Sequence, residues 1–341
     1  MTPSLTDAMH SGASTPVRSL SRRALLALGL LAQPMLALGQ AEPFEDETWR
    51  DPARAREIPV RLRWPHYALP LPAGGHPLLM FSHGLGGTRA GGEVWGEAWA
   101  RASFVVVHLQ HSGSDLDAVR QAGGFGDPAR LRSAASAREL VQRLRDVVFT
   151  LDEIGRRHAS AQGRWASVRP HALGLAGHSF GAHTTLGMAG QTYSGFAGID
   201  EPRLAAFMAF SPTLPPLNPT QALSRLTRPM LCLTGTRDDD VLGTGATPEQ
   251  RRKVFDALPP GHKAQLVLRD ADHMSFAGQS GRALEIIARL DVTRQLQAQH
   301  HSLITLLTSD WWRATLMDDA QAAARLVAPA GLSPGDEWRR G

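Results

Sequence analysis

Gly177-His178-Ser179-Phe180-Gly181 is the segment that most restricts what this chain can fold into. An apolar run, Ala172-Leu173-Gly174-Leu175-Ala176, precedes it, and Ala182-His183-Thr184-Thr185-Leu186-Gly187-Met188-Ala189 follows with the composition of a helix start. A sharp turn from a strand into a helix crowds the backbone two residues either side of its apex, and glycine fits there. Such a turn lifts the apical hydroxyl out of the sheet into a cleft, which makes Ser179 the candidate nucleophile. The competing reading is a glycine-rich helix start in which Ser179 only caps the first turn. The strand before it and the helix after it favour the nucleophile.

The rest of the chain supplies the sheet. Leu78-Leu79-Met80-Phe81, Phe104-Val105-Val106-Val107-His108-Leu109, Leu204 to Phe210, Pro229 to Leu233 and Ala264 to Arg269 are short, largely apolar runs. Such runs mark strands covered on both faces. Ile58-Pro59-Val60-Arg61-Leu62-Arg63-Trp64 alternates, as a half-exposed strand does. Residues 41 to 57 read as a charged, irregular lead-in. Leu131 to Ile154 has helical spacing through Leu140, Val141, Leu144, Val147, Val148 and Leu151, with a Glu/Arg-rich opposite face. Apolar strands alternating with helical segments predict an α/β fold, a mostly parallel, doubly wound sheet flanked by helices. The segments around 191–203 and 211–228 are too short for a large lid domain. There is no internal repeat or low-complexity linker, so one catalytic domain is expected over 41–341.

Residues 1–40 read as a leader. Ser21-Arg22-Arg23-Ala24-Leu25-Leu26 opens an apolar stretch to about Leu38, and Ala37-Leu38-Gly39 offers small residues for cleavage before Gln40. The twin arginine resembles a Tat signal, so the expected location is periplasmic or secreted. The apolar stretch is short and interrupted by Gln33-Pro34, which argues against stable membrane insertion of the mature chain. Cys232 is the only cysteine, and its apolar neighbours make it a core thiol. The net charge of +4 comes with no basic run interleaved with aromatics, so nucleic acid is not expected as a partner.

A serine hydroxyl needs a base to take its proton, and the base needs a third group to hold its tautomer. On this type of sheet the chain order is Ser, acid, His. The acid is sought after Pro229-Met230-Leu231-Cys232-Leu233-Thr234, where Gly235-Thr236-Arg237-Asp238-Asp239-Asp240 follows. Asp238 is the first choice, Asp239 the second, and Asp240 reads as a solvated loop charge. His273 follows the last strand in Asp270-Ala271-Asp272-His273-Met274 and is the candidate base. Both lie at carboxyl ends of strands, where open α/β sheets bind ligands. The oxyanion needs backbone donors already aimed at it. The N–H of Phe180 is one candidate, and the N–H of Leu85, in His83-Gly84-Leu85-Gly86-Gly87, is the other. His178 is expected to support the turn from behind. His108 and His111 have an H-x-x-H spacing on a strand, which does not put both rings on one face, and no metal is expected there.

Phe81-Ser82-His83-Gly84-Leu85-Gly86-Gly87 and Gly177-His178-Ser179-Phe180-Gly181-Ala182 together resemble the α/β-hydrolase family of platelet-activating-factor acetylhydrolases and their dienelactone-hydrolase-like relatives. The likeness extends through His111-Ser112-Gly113-Ser114-Asp115, Arg145 to Asp152, Asp272-His273-Met274 and Ser309-Asp310-Trp311-Trp312. It implies an α/β-hydrolase fold and a Ser-Asp-His carboxylesterase working without metal or other cofactor. Short-chain esters or acetylated, phospholipid-like esters would be its substrates. The mature chain shows no obvious membrane-docking helix. Thioesterase, peptidase and C–C hydrolase chemistry use the same triad, and a non-catalytic binding protein can share the fold.

Overall fold

In the computed structural model, residues 44–66, 69–124, 131, 133–161, 163–240, 245–280 and 288–341 are described. The leader expected over 1–40 lies outside them. The strands are β1 (Phe44–Asp51), β2 (Arg56–Arg63), β3 (His76–Ser82), β4 (Val105–Leu109), β5 (Val168–His178), β6 (Thr192–Tyr193), β7 (Phe196–Ala197), β8 (Leu204–Phe210), β9 (Met230–Arg237), β10 (Lys263–Asp272) and β11 (Glu337–Arg340). The helices are α1 (Glu93–Arg101), α2 (Leu116–Gln121), α3 (Ala137–Ala159), α4 (Phe180–Met188), α5 (Pro219–Ala222), α6 (Pro248–Ala257), α7 (Asp291–Leu316) and α8 (Ala320–Arg325).

Nine strands form one sheet in the order β1-β2-β4-β3-β5-β8-β9-β10-β11. From β4 across to β10 every neighbouring pair is parallel. The edges are antiparallel: β1 and β2 on one side, β11 on the other. This is a mixed α/β architecture with a mostly parallel sheet. Glu42–Gly341 forms one compact unit, and no helix among the described residues is long and apolar enough to cross a membrane.

The continuous apolar runs follow from burial on both faces. Alternate residues of β3 divide between two cores: Leu78 and Met80 join α3 and α4, while Leu79 and Phe81 join α1 and α7. β8 divides likewise, with Phe207 and Ala209 on one side and Met208 and Phe210 on the other. On β5 the second face carries only Ala172, Gly174 and Ala176, because Trp312 of α7 lies on it. A Cβ at Gly174 would stand 2.8 Å from the Trp312 ring. Cys232 is fully buried among these residues.

Three elements differ from the sequence expectation. Residues 44–51, expected as irregular lead-in, are β1; only Trp49 and Asp51 of this edge strand are buried, so it carries no apolar run. β11, Glu337-Trp338-Arg339-Arg340, is likewise partly exposed throughout. The helix expected from Leu131 is interrupted: residues 131, 133 and 134 are helical, the chain turns at Ala135-Ser136, and α3 begins at Ala137, where Ser136 accepts a hydrogen bond from the Glu139 N–H and caps it, and continues to Ala159. The 191–203 and 211–228 segments hold only the β6–β7 hairpin and α5.

Candidate active site

Because β3, β5, β8, β9 and β10 run parallel, whatever follows each carboxyl end is delivered to one edge of the sheet. That edge receives His83, Ser179, Ser211, Asp238 and His273. Ser179 sits at φ 56° and ψ −114°, a conformation that L-residues rarely hold. The turn is pinned by the Ser179 N–H donating to the Phe210 carbonyl at 3.0 Å. It also requires both glycines. A Cβ on Gly177 would collide with the Gly181 carbonyl, and one on Gly181 with the Ser82 carbonyl. Ser179 occupies the N-cap position of α4, yet its side chain makes no capping hydrogen bond. The hydroxyl faces a cavity of about 810 Å³ whose wall also includes His273, Phe180 and His183.

His273 begins a short 3₁₀ turn, His273–Phe276, capped reciprocally by Asp272 and Ser275. Arg289 grips the Asp272 carboxylate from both nitrogens, at 2.7 and 2.8 Å. Behind it, His178 Nε2–H donates to the His273 carbonyl at 3.0 Å. Burial pushes His178 down to about 3, so it stays neutral. His273 Nδ1–H donates to Asp238 Oδ1 at 2.8 Å. With the proton on Nδ1, Nε2 keeps its lone pair, the tautomer a general base requires. Ser179 and His273 are not hydrogen-bonded to one another; they share the cavity wall.

Asp238 is fully buried, Asp239 exposed and Asp240 half-buried. Thr234 Oγ1–H donates to Asp238 Oδ2 at 2.8 Å, and Arg251 Nε stands 3.1 Å from Oδ1. Burial pushes the Asp238 carboxyl up, but the His273 hydrogen bond and the Arg251 charge outweigh it and leave the group below the usual carboxylate range. It is therefore ionised at neutral pH. Asp240 accepts from the Gly245 N–H at 2.7 Å and belongs to the cavity wall.

Of the two expected oxyanion donors, Phe180 lies on the cavity wall. Leu85 does not; it packs, half-buried, against the core on the α3 side. Its neighbour Gly84 is what touches Ser179, since a Cβ there would stand 3.4 Å from Ser179 Cβ. Neither the Phe180 nor the Leu85 N–H has an acceptor among the described residues.

Two arginines that sequence reasoning did not single out hold this edge together. Arg251 of α6 donates to the Asp238 carbonyl at 2.8 Å and the Ser211 carbonyl at 2.7 Å, tying the β8 and β9 ends. Arg143 of α3 is fully buried; it donates to the His83 carbonyl at 2.6 Å and to Ser114 Oγ at 2.8 Å. Its guanidinium also lies 4.3 Å from the centre of the Phe180 ring. Burial brings Arg143 down to about 9, still protonated at neutral pH. One side chain thus braces both the loop carrying Leu85 and Phe180, the residue after Ser179.

A second Ser–His–Asp chain lies beneath that loop. Ser82 Oγ and His111 Nε2 are 2.9 Å apart, and His111 Nδ1 is 3.0 Å from Asp146 Oδ2. All three side chains are fully buried. Asp146 is further held by Arg56 at 2.7 Å. The carboxylate that meets His111, Asp146, arrives from α3, far along the chain. His108 instead bonds the Gly91 carbonyl at 2.8 Å. Among the described residues, no group of three or more His, Cys, Asp or Glu side chains could hold a metal ion. No protein-family model matches the chain, and no curated protein matches it.

Proposed function

We propose that this chain is a serine hydrolase of the α/β-hydrolase fold that cleaves carboxylic esters. One observation carries the reading: a strained, uncapped serine faces the same cavity as an imidazole whose other nitrogen is bound by a buried, ionised carboxylate. Of the two Ser–His–Asp arrangements, this one opens to solvent and the Ser82 chain does not.

The steps follow from the groups present. Ser179 Oγ attacks the ester carbonyl while His273 Nε2 takes its proton. Asp238 stays ionised, holding Nδ1–H and balancing the imidazolium. The N–H of Phe180 receives the oxyanion, and the second donor is sought in the Gly84-Leu85 turn beside Ser179, where the Leu85 N–H has no acceptor among the described residues. The alcohol departs with the proton from His273. Water then adds to the acyl-serine, again giving its proton to His273, and the acid leaves as Ser179 recovers its hydrogen. No metal or cofactor enters this sequence.

Hydrolysis of p-nitrophenyl acetate by the wild type and by Ser179→Ala tests the proposal. Turnover that falls by roughly 10⁴-fold or more supports it. Wild-type protein with no turnover would favour a binding protein on this fold. Export belongs to the same proposal: replacing Arg22 and Arg23 by lysine should keep the chain in the cytoplasmic fraction.

A further inference from the structure

We propose that the ester turned over at Ser179 carries a bulky apolar group and no negative charge, seated against the Tyr193–Phe196 pair; this rests on the serine-hydrolase reading. The cavity facing Ser179 measures about 810 Å³, within the range of about 300–1,000 Å³ that encloses whole drug-sized ligands. An acetyl or other short acyl group would leave most of it to water.

Its shape comes from the two segments that interrupt the strand–helix alternation. The β6–β7 hairpin stacks Tyr193 on Phe196, with ring centroids 4.7 Å apart and planes 12° from parallel. Tyr193 OH donates to the His183 carbonyl at 2.7 Å, so its hydroxyl is engaged and the ring is fixed. The segment after β8 brings Leu214, Pro215 and Pro216 to the same cavity, and α3 brings Leu140. These surfaces are stiff and apolar, and suit a ring or a branched chain.

The charges on the described part of the wall do not favour an anion. Among the described residues its charged side chains are Arg251 and Asp240, with the His183 ring and the catalytic His273 beside them. Arg251 is 3 % exposed and already donates to the Asp238 and Ser211 carbonyls beside the Asp238 carboxylate. Asp240, which accepts from the Gly245 N–H, brings no positive charge to the wall. His183 is pushed down to about 4 by burial and the charges of Arg251 and Arg143, so it brings no cation. Among the described residues an anionic group in this cavity would meet only neutral donors such as Ser194, Asn218 and Gln221, which replace its lost water less well than a cation would.

The test uses the full chain and esters that share one reactive carbonyl. Rates are followed by pH-stat for ethyl acetate, ethyl phenylacetate and benzyl acetate, whose rings are insulated from the carbonyl. The 4-carboxyphenyl counterparts of the last two are run beside them. A single methylene in an apolar pocket is worth roughly ten-fold or more, so at least one phenyl ester should exceed ethyl acetate by more than about ten-fold in kcat/KM, mainly through KM. Its carboxylated counterpart should fall about ten-fold below it. Phe196→Ala, at a half-buried hairpin position, should shrink the phenyl-to-ethyl ratio. Equal rates for ethyl acetate and both phenyl esters, full activity on the carboxylated esters, or an unchanged ratio in Phe196→Ala would overturn this inference alone. A chain inert both to every ester and to a fluorophosphonate probe at Ser179 would overturn the hydrolase reading, and this inference with it.

Discussion

Asp238 and Asp239 are adjacent, chemically identical and equally placed after a strand, yet only Asp238 reaches His273. The account therefore expects unequal mutants. Asp238→Asn should cost about 10⁴-fold in kcat, because an amide no longer stabilises the Nδ1–H tautomer or the imidazolium. Asp239→Asn, on an exposed side chain, should stay within about two-fold of wild type. Steady-state kinetics of the two variants checks this, and similar losses in both would move the acid elsewhere. The sequence ranks Asp238 ahead of Asp239 but does not decide between them, because which side chain turns inward is known only once the register is known. Ser179 and His273 were easier to find, since each needs only its own flanking strand. The supports Arg251, Arg143 and Asp146 left no local signal. They act across tens of residues, and a buried arginine looks in sequence like any surface one.

At the scale of elements, the β5–α4 turn and the α3 brace define the edge. Gly181→Ala would drive a methyl into the Ser82 carbonyl, and overpacking of this kind costs about 1–3 kcal/mol or more. Denaturant unfolding should show at least that loss, and a neutral Gly181→Ala would mean that the turn relaxes freely. Arg143→Met removes the donors that hold the His83 carbonyl and Ser114 Oγ. Leaving such buried acceptors unpaired costs about 1–3 kcal/mol each. If the brace also aligns the Leu85 loop, the folded variant should lose kcat more than it raises KM. A pure stability loss with kcat intact would limit Arg143 to a structural role. The elements that sequence reading caught were the two-sided strands, whose apolar runs are unmistakable. The ones it missed, β1 and β11, are polar because each has a solvent edge, and their pairing comes from backbone hydrogen bonds that no side-chain pattern records. The helical stretch from Leu131 reads as continuous because apolar spacing does not reveal a cap; Ser136 does, once its bond to the Glu139 N–H is seen.

For the whole molecule, the doubly covered sheet could be inferred from alternation of strand and helix, and it fixes which strand ends meet. The same close packing buries His83, His108, His111 and His178. Burial lowers all four, to about 3 for His108 and His178 and about 4 for His111. In the unfolded chain these rings take up protons near their ordinary value of 6.5, and in the fold they do not until much lower pH. The unfolded state then binds more protons, so stability is full above about pH 6.5 and falls as pH drops toward about 4. The depressed carboxyls Asp238 and Asp146 add a further loss only below the ordinary carboxylate range. Melting followed by circular dichroism should give a Tm several degrees lower at about pH 5 than at about pH 7.5. Equal values would mean that these rings are protonated in the fold without penalty.

The most direct measurement is peptide mass spectrometry after reaction with a fluorophosphonate, which bonds only to an activated serine hydroxyl. The account predicts one adduct, on Ser179, none on the buried Ser82, and none in Ser179→Ala. An unmodified wild-type chain, or an adduct that persists at another serine when Ser179 is replaced, would contradict it.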